Sequence, residues 1–139
     1  MASFHKFQPF VENLAEKVFN LGADTLKVLL TNSAPAAANG VKSDLTEISA
    51  GSGYTAGGAT ASISSSAQTS GTYKLVLGDV TITASGGSIG PFRYAVLYDD
   101  TAASDQLIGF WDYGSSITLA DGESITVDFD ASAGVLTIA

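Results

Sequence analysis

The pattern that most constrains this chain begins at Ala59. From there to the last residue, short segments alternate apolar and polar side chains, and Gly, Asp or Ser breaks each one before it reaches helical length. A two-residue period puts alternate side chains on opposite faces of a strand, so such segments fold only by pairing. Ala59–Ser65 is thin and polar, as an edge strand is. Thr72–Ala84 is long, with Gly78 as a bulge or bend. Phe92–Tyr98 is apolar on both faces, which predicts a central strand. Gln106–Tyr113, Ile117–Leu119, Ser124–Phe129 and Val135–Ile138 follow, with the Asp121-Gly122 turn between the second and third of these.

The first 31 residues read differently. Phe10, Leu14 and Val18 or Phe19 recur at helical spacing after Pro9, and Asn20-Leu21-Gly22 supplies a stop. This predicts a helix over about Pro9–Phe19. Asp24–Thr31 then switches to strand period. Residues 32–58 are rich in Ala, Asn, Gly, Ser and Pro, a long loop of the kind that carries function or forms an interface. The expectation is an all-β chain: an antiparallel β-sandwich of about eight strands with one short N-terminal helix. It forms a single domain over 1–139, with an N-terminal helical arm (1–22) and a long contact loop (32–58).

Composition narrows the function. The 139 residues contain no cysteine, so disulfides and thiolate metal sites are excluded. Fourteen acids against six bases leave −8, all of it in residues 75–139, where Arg93 faces nine acids; residues 1–74 are neutral. An acidic half repels phosphates, and no basic patch offsets it, so nucleic acid is not an expected partner. No apolar run approaches bilayer length, so no membrane span is expected, and the first six residues lack the apolar core of a signal peptide.

Residues that carry chemistry are sparse. His5 is the one imidazole, and it sits near the N-terminus away from any paired nucleophile. Asp99, Asp100 and Asp105, and Asp121 with Glu123, could gather oxygen ligands, but neither group has calcium-loop spacing, and both read as turn chemistry. The glycines of 51–58 and 86–90 lack the lysine and hydroxyl of a phosphate loop. Tyr94, Tyr98, Phe110, Trp111 and Tyr113 lie on neighbouring strands, either as core anchors or as an exposed aromatic patch. The expectation is not an enzyme: no catalytic residue, no cofactor and no metal.

Several stretches carry a resemblance. They are Phe7, Phe10, Leu14 and Ala15 in F-x-x-F-x-x-x-L-A; Leu21–Pro35 (LGADTLKVLLTNSAP); Gly53–Gly58 (GYTAGG); Ser70–Tyr98; and Leu107–Phe129. Over nearly its whole length the chain resembles small structural proteins of tailed bacteriophages, and most of all a capsid decoration, or cement, protein. The resemblance implies a virion component made in the host cytoplasm and placed on the capsid exterior. It implies the major capsid protein as partner, a homo-oligomer with a trimer favoured, and no catalytic residue. A tail- or fibre-associated module that binds a host surface protein or glycan is the alternative.

For such a protein the expected contact residues are Phe4, Phe7 and Phe10 in the N-terminal segment, with Lys42 and Tyr54 in the long loop. The neutral half is expected to face the capsid and the acidic half to face solvent.

Overall fold

A computed structural model describes residues 3–139. Strand β1 (Phe4–Lys6) is followed by helix α1 (Gln8–Ala15) and β2 (Leu26–Thr31). After the long loop come β3 (Ala59–Ala61), β4 (Ile63–Thr69), β5 (Thr72–Leu77) and β6 (Val80–Thr83). The chain ends with β7 (Ile89–Asp99), β8 (Leu107–Leu119), β9 (Ser124–Val127) and β10 (Leu136–Ile138). All pairings are antiparallel. One sheet has the order β1-β8-β7-β2-β3; against it lie a β10-β5-β4 sheet and a β6-β9 pair. The fold is thus the antiparallel sandwich its periodicity implies, with ten strands rather than about eight.

The extra strands arise where a continuous pattern changes sheet. Ala59–Ser65 splits at Ser62: β3 pairs with β2 in the large sheet, and β4 pairs with β5 in the other layer. Thr72–Ala84 splits at Gly78-Asp79, with β5 on one side and β6 on the other. The expected strands Gln106–Tyr113 and Ile117–Leu119 are instead one strand, β8, that bends at Gly114. Phe4–Lys6, expected as part of the N-terminal helical arm, is instead a strand that pairs with β8 through Phe4 opposite Trp111 and Lys6 opposite Gly109.

The helix is shorter than its spacing predicts. It ends at Ala15, where Lys17 turns left-handed (φ 68°) and Val18 donates its N–H to the Asn13 carbonyl at 2.9 Å. That closure folds Phe19 back onto Phe10, with ring centroids 5.3 Å apart. Among the described residues no helix is long and apolar enough to cross a membrane.

Both faces of the large sheet are covered. Leu26, Val28 and Leu30 of β2, with Leu97 and Ile108, meet Leu75, Leu77, Val80 and Ile82 of the second layer. Leu29, Val96, Tyr98 and Leu107 point to the other face, beneath Phe7 and Leu45. This explains why β2 and β7 are apolar on both sides.

Residues 32–58 contain one short 3₁₀ turn, Lys42–Asp44, and are tied down along their length. Where β3 stops, the loop takes over the edge of β2. Ile48 donates its N–H to the Leu30 carbonyl at 3.1 Å, and the Leu30 N–H donates to the Tyr54 hydroxyl at 3.0 Å. That hydroxyl in turn donates to Glu47 Oε1 at 2.6 Å, which also accepts the Gly57 N–H. Gly58, at φ +80°, then passes so close to the Val28 backbone that a Cβ would collide with it.

Candidate functional site

Three of the five expected contact residues belong to the chain's own interior. Phe7 is 0% exposed, Phe10 5% and Tyr54 3%. Phe7 and Phe10 point inward because β1 pairs with β8 and so fixes the chain entering α1, while the Leu30 amide holds Tyr54. As surface contacts these three are corrected. Phe4 and Lys42 are half-buried. Phe4 packs on Trp111 at 5.1 Å between centroids, and the Lys42 Nζ lies 5.5 Å from the centre of the Tyr98 ring.

The charge polarity of the sequence also fails to become two faces. β1 pairs with β8 and β2 with β7, so the neutral and acidic halves interleave in one sheet. Residues 3–61 and 89–119, the large sheet with its helix and loops, carry five bases and nine acids. The second layer carries Lys74 and five acids, so each layer holds −4.

The acids of the turns are engaged locally. Asp121 accepts the Gly86 N–H, Glu123 accepts the Ala120 N–H, and Asp100 pairs with Lys27 at 3.3 Å. Among the described residues no three His, Cys, Asp or Glu side chains group in a metal-binding arrangement. His5 stacks over Phe110 at 5.2 Å, on the opposite face of the sheet from Trp111.

What the fold does assemble is an apolar cleft of about 420 Å³ between the layers. Phe4, Trp111 and Tyr113 form one wall; Ile125, Val127 and Phe129 form the other. The cleft exists because β8 and β9, consecutive in sequence, join different sheets and splay apart after the Asp121-Gly122 turn. Phe129 meets Trp111 edge-on at 5.4 Å and closes the floor. Its own N–H is held by Asp79 Oδ1 at 2.9 Å. Tyr113 is 59% exposed at the mouth.

Arg93 stands at the rim. Its Nε and one terminal nitrogen donate to the two oxygens of Asp112 at 2.7 and 2.9 Å, a bidentate fork, and its guanidinium lies 5.4 Å from the Tyr94 ring centre. The Arg93 fork, helped by the Gly114 N–H, holds the Asp112 carboxyl below the usual carboxylate range. Asp130, on the opposite rim, is lowered by the backbone N–H groups of Ala133 and Ser132. β9 pairs only with β6, so its other edge has no strand partner among the described residues.

Of the five aromatics singled out in sequence, Tyr94 and Tyr98 are buried, Phe110 is half-buried on the far face, and Trp111 and Tyr113 line the cleft. The Arg93–Asp112 fork was missed. Its signal was faint: the chain's one arginine, in a strand, with an acid in the strand that follows. Comparison of the chain with protein-family models, with curated proteins and with solved structures gives no match in any of the three.

Proposed function

We propose that this chain is a structural protein of a tailed-phage virion, a capsid decoration protein that binds the outer head surface and stabilises it. Its partner is the major capsid protein, and it assembles there as a homo-oligomer, with the trimer as the favoured form. The observation that carries the reading is the cleft. It offers aromatic and aliphatic walls, a charge-paired rim and an adjacent open strand edge, and this combination suits an extended segment of another protein better than a small reactive substrate. The resemblance of Leu21–Pro35, Ser70–Tyr98 and Leu107–Phe129 to phage structural proteins supplies the identity of that partner. The expected contact set moves accordingly, from Phe7, Phe10 and Tyr54 to Trp111 and Tyr113.

One observation favours the second reading, a tail- or fibre-associated module that binds a host surface protein or glycan. Exposed Tyr113 beside Trp111, with a guanidinium–carboxylate fork at the rim, pairs aromatic faces with polar groups as ligand-orienting sites do.

The test is cryo-electron microscopy of the parent particle, with co-sedimentation of purified protein and heads that lack it. The expected result is density for this chain on the head lattice. Trp111→Ala is expected to weaken head binding about 30-fold, the effect of losing a central aromatic anchor worth about 2 kcal/mol. Density confined to the tail would overturn the first reading in favour of the second.

A further inference from the structure

Among the described residues, Asp99 is the one acidic or basic side chain that is buried, at 0% exposure. It ends β7, opposite Leu26. Its Oδ1 accepts the N–H groups of Thr101 and Ala102 at 2.9 and 3.1 Å. Its Oδ2 is, among the described residues, the one buried side-chain nitrogen or oxygen without a partner. An acceptor left alone in a dry site is costly, and an ionised one more so.

The group that faces it is the carboxyl of Asp24. Asp24 is held there from both sides. Asp100 donates its N–H to the Thr25 carbonyl at 2.9 Å, and Thr25 donates its own to Thr101 Oγ1 at 2.8 Å. Asp24 Oδ2 accepts the Asn20 N–H at 2.9 Å. The other charged or titratable groups around this corner are engaged or outside it. Lys27 on β2 pairs with Asp100, Asp105 lies in the turn beyond, and Lys17 and Tyr73 line a hollow on the outer side of Asp24. None of them reaches Asp99 Oδ2.

Two carboxylates that face each other, one of them fully buried, do not both stay ionised. A proton on Oδ2 turns Asp99 from an orphaned acceptor into a donor aimed at Asp24. We propose that half-buried Asp24 and buried Asp99 form a proton-binding pair that latches the turn before β2 to the turn after β7 and loosens when the proton leaves.

Burial first, and the Asp24 carboxyl second, push Asp99 up to about 7, against the opposing pull of the Ala102 and Thr101 N–H groups. The sign follows. The folded value lies above the ordinary 3.8, so between the two the folded state holds more protons than the unfolded one. Stability from this pair is full in acid and declines as pH rises towards 7.

The test uses the full chain, its Asp99→Asn variant, thermal unfolding at pH 5 and pH 8, and amide hydrogen exchange. The carboxamide that Asp99→Asn introduces would keep the Thr101 and Ala102 bonds through its oxygen and donate to Asp24 through its nitrogen, at any pH. The wild type is expected to melt lower at pH 8 than at pH 5, while Asp99→Asn stays level. At pH 8 the Thr25, Thr101 and Ala102 amides are expected to exchange at least tenfold faster in the wild type than in the variant. Equal pH dependence in the two proteins would overturn the proposal. So would saturable calcium binding that restores the wild type at pH 8, since the pair would then hold a cation. If Asp99→Asn does not fold, carbon-13 titration of the wild-type Asp99 carboxyl decides: a midpoint above 6 supports the pair, and one below that overturns it.

Discussion

Replacing Tyr54 by Phe removes one oxygen and tests whether the long loop is part of the core or a free contact loop. That oxygen accepts the Leu30 N–H and donates to Glu47. Burial and Glu47 hold the phenol well above its ordinary value, so it remains a donor at every working pH. Without it, the Leu30 N–H loses its partner at a fully covered stretch of β2, where β3 has already ended. An orphaned buried donor costs about 1–3 kcal/mol, and the hydrogen bond to a carboxylate is worth about 1.5–3 kcal/mol. Glu47 is half-buried and keeps the Gly57 N–H, so the second contribution belongs at the low end. The expected loss is about 3 kcal/mol, or about 10 °C in Tm for a chain of this size. Urea unfolding followed by circular dichroism should show a lower midpoint with unchanged slope. The Leu30 amide should exchange faster. Glu47→Gln, which keeps an acceptor for both donors, should cost about 1 kcal/mol. A Tyr54→Phe loss below about 0.5 kcal/mol would refute the reasoning and return the loop to a contact role.

Gly109→Ala would place a methyl group on the Phe4 ring and close to the His5 carbonyl, and should cost about 1–3 kcal/mol by forcing β1 outward. Trp111 fluorescence should shift as Phe4 leaves it, and an unchanged spectrum and melt would count against β1 as a seated strand. In acid the sign reverses from that of Asp99. Asp44, Asp112 and Asp130 are all held below 3.8 by N–H groups or Arg93, so their contribution is present above that value and is lost as pH falls through their lowered ones. A urea-midpoint profile should therefore turn down below about pH 4, and a profile still rising at about pH 2 would exclude this contribution.

Much of the fold was readable because strand periodicity is local. Asp24–Thr31 announced itself as a strand, and Phe92–Tyr98 as a central one, through their own side chains. Gly78 marked the right break, although nothing in the neighbouring residues says that the chain changes sheet there. The helix failed at its end for a related reason: Lys17 takes a left-handed turn usually left to glycine, because Phe19 gains burial against Phe10. β1 is only three residues long, too short to show a period, and it is stable only because β8 lies beside it.

By itself the sequence determined the class of fold. Alternation every second residue, turns at Asp, Gly and Ser, and the absence of cysteine leave little but an antiparallel sandwich with a short helix. It also determined the total charge of −8. Only the tertiary structure decided which residues face outward and where that charge lies. Phe7, Phe10 and Tyr54, exposed on paper, are core, and the acidic second half is woven through the neutral first half by β1–β8 and β2–β7 pairing. The Arg93–Asp112 fork, the cleft around Trp111 and the Asp24–Asp99 pair follow from the same cause. Each joins residues from separate elements, and strand partnership is a non-local property that period and composition do not encode.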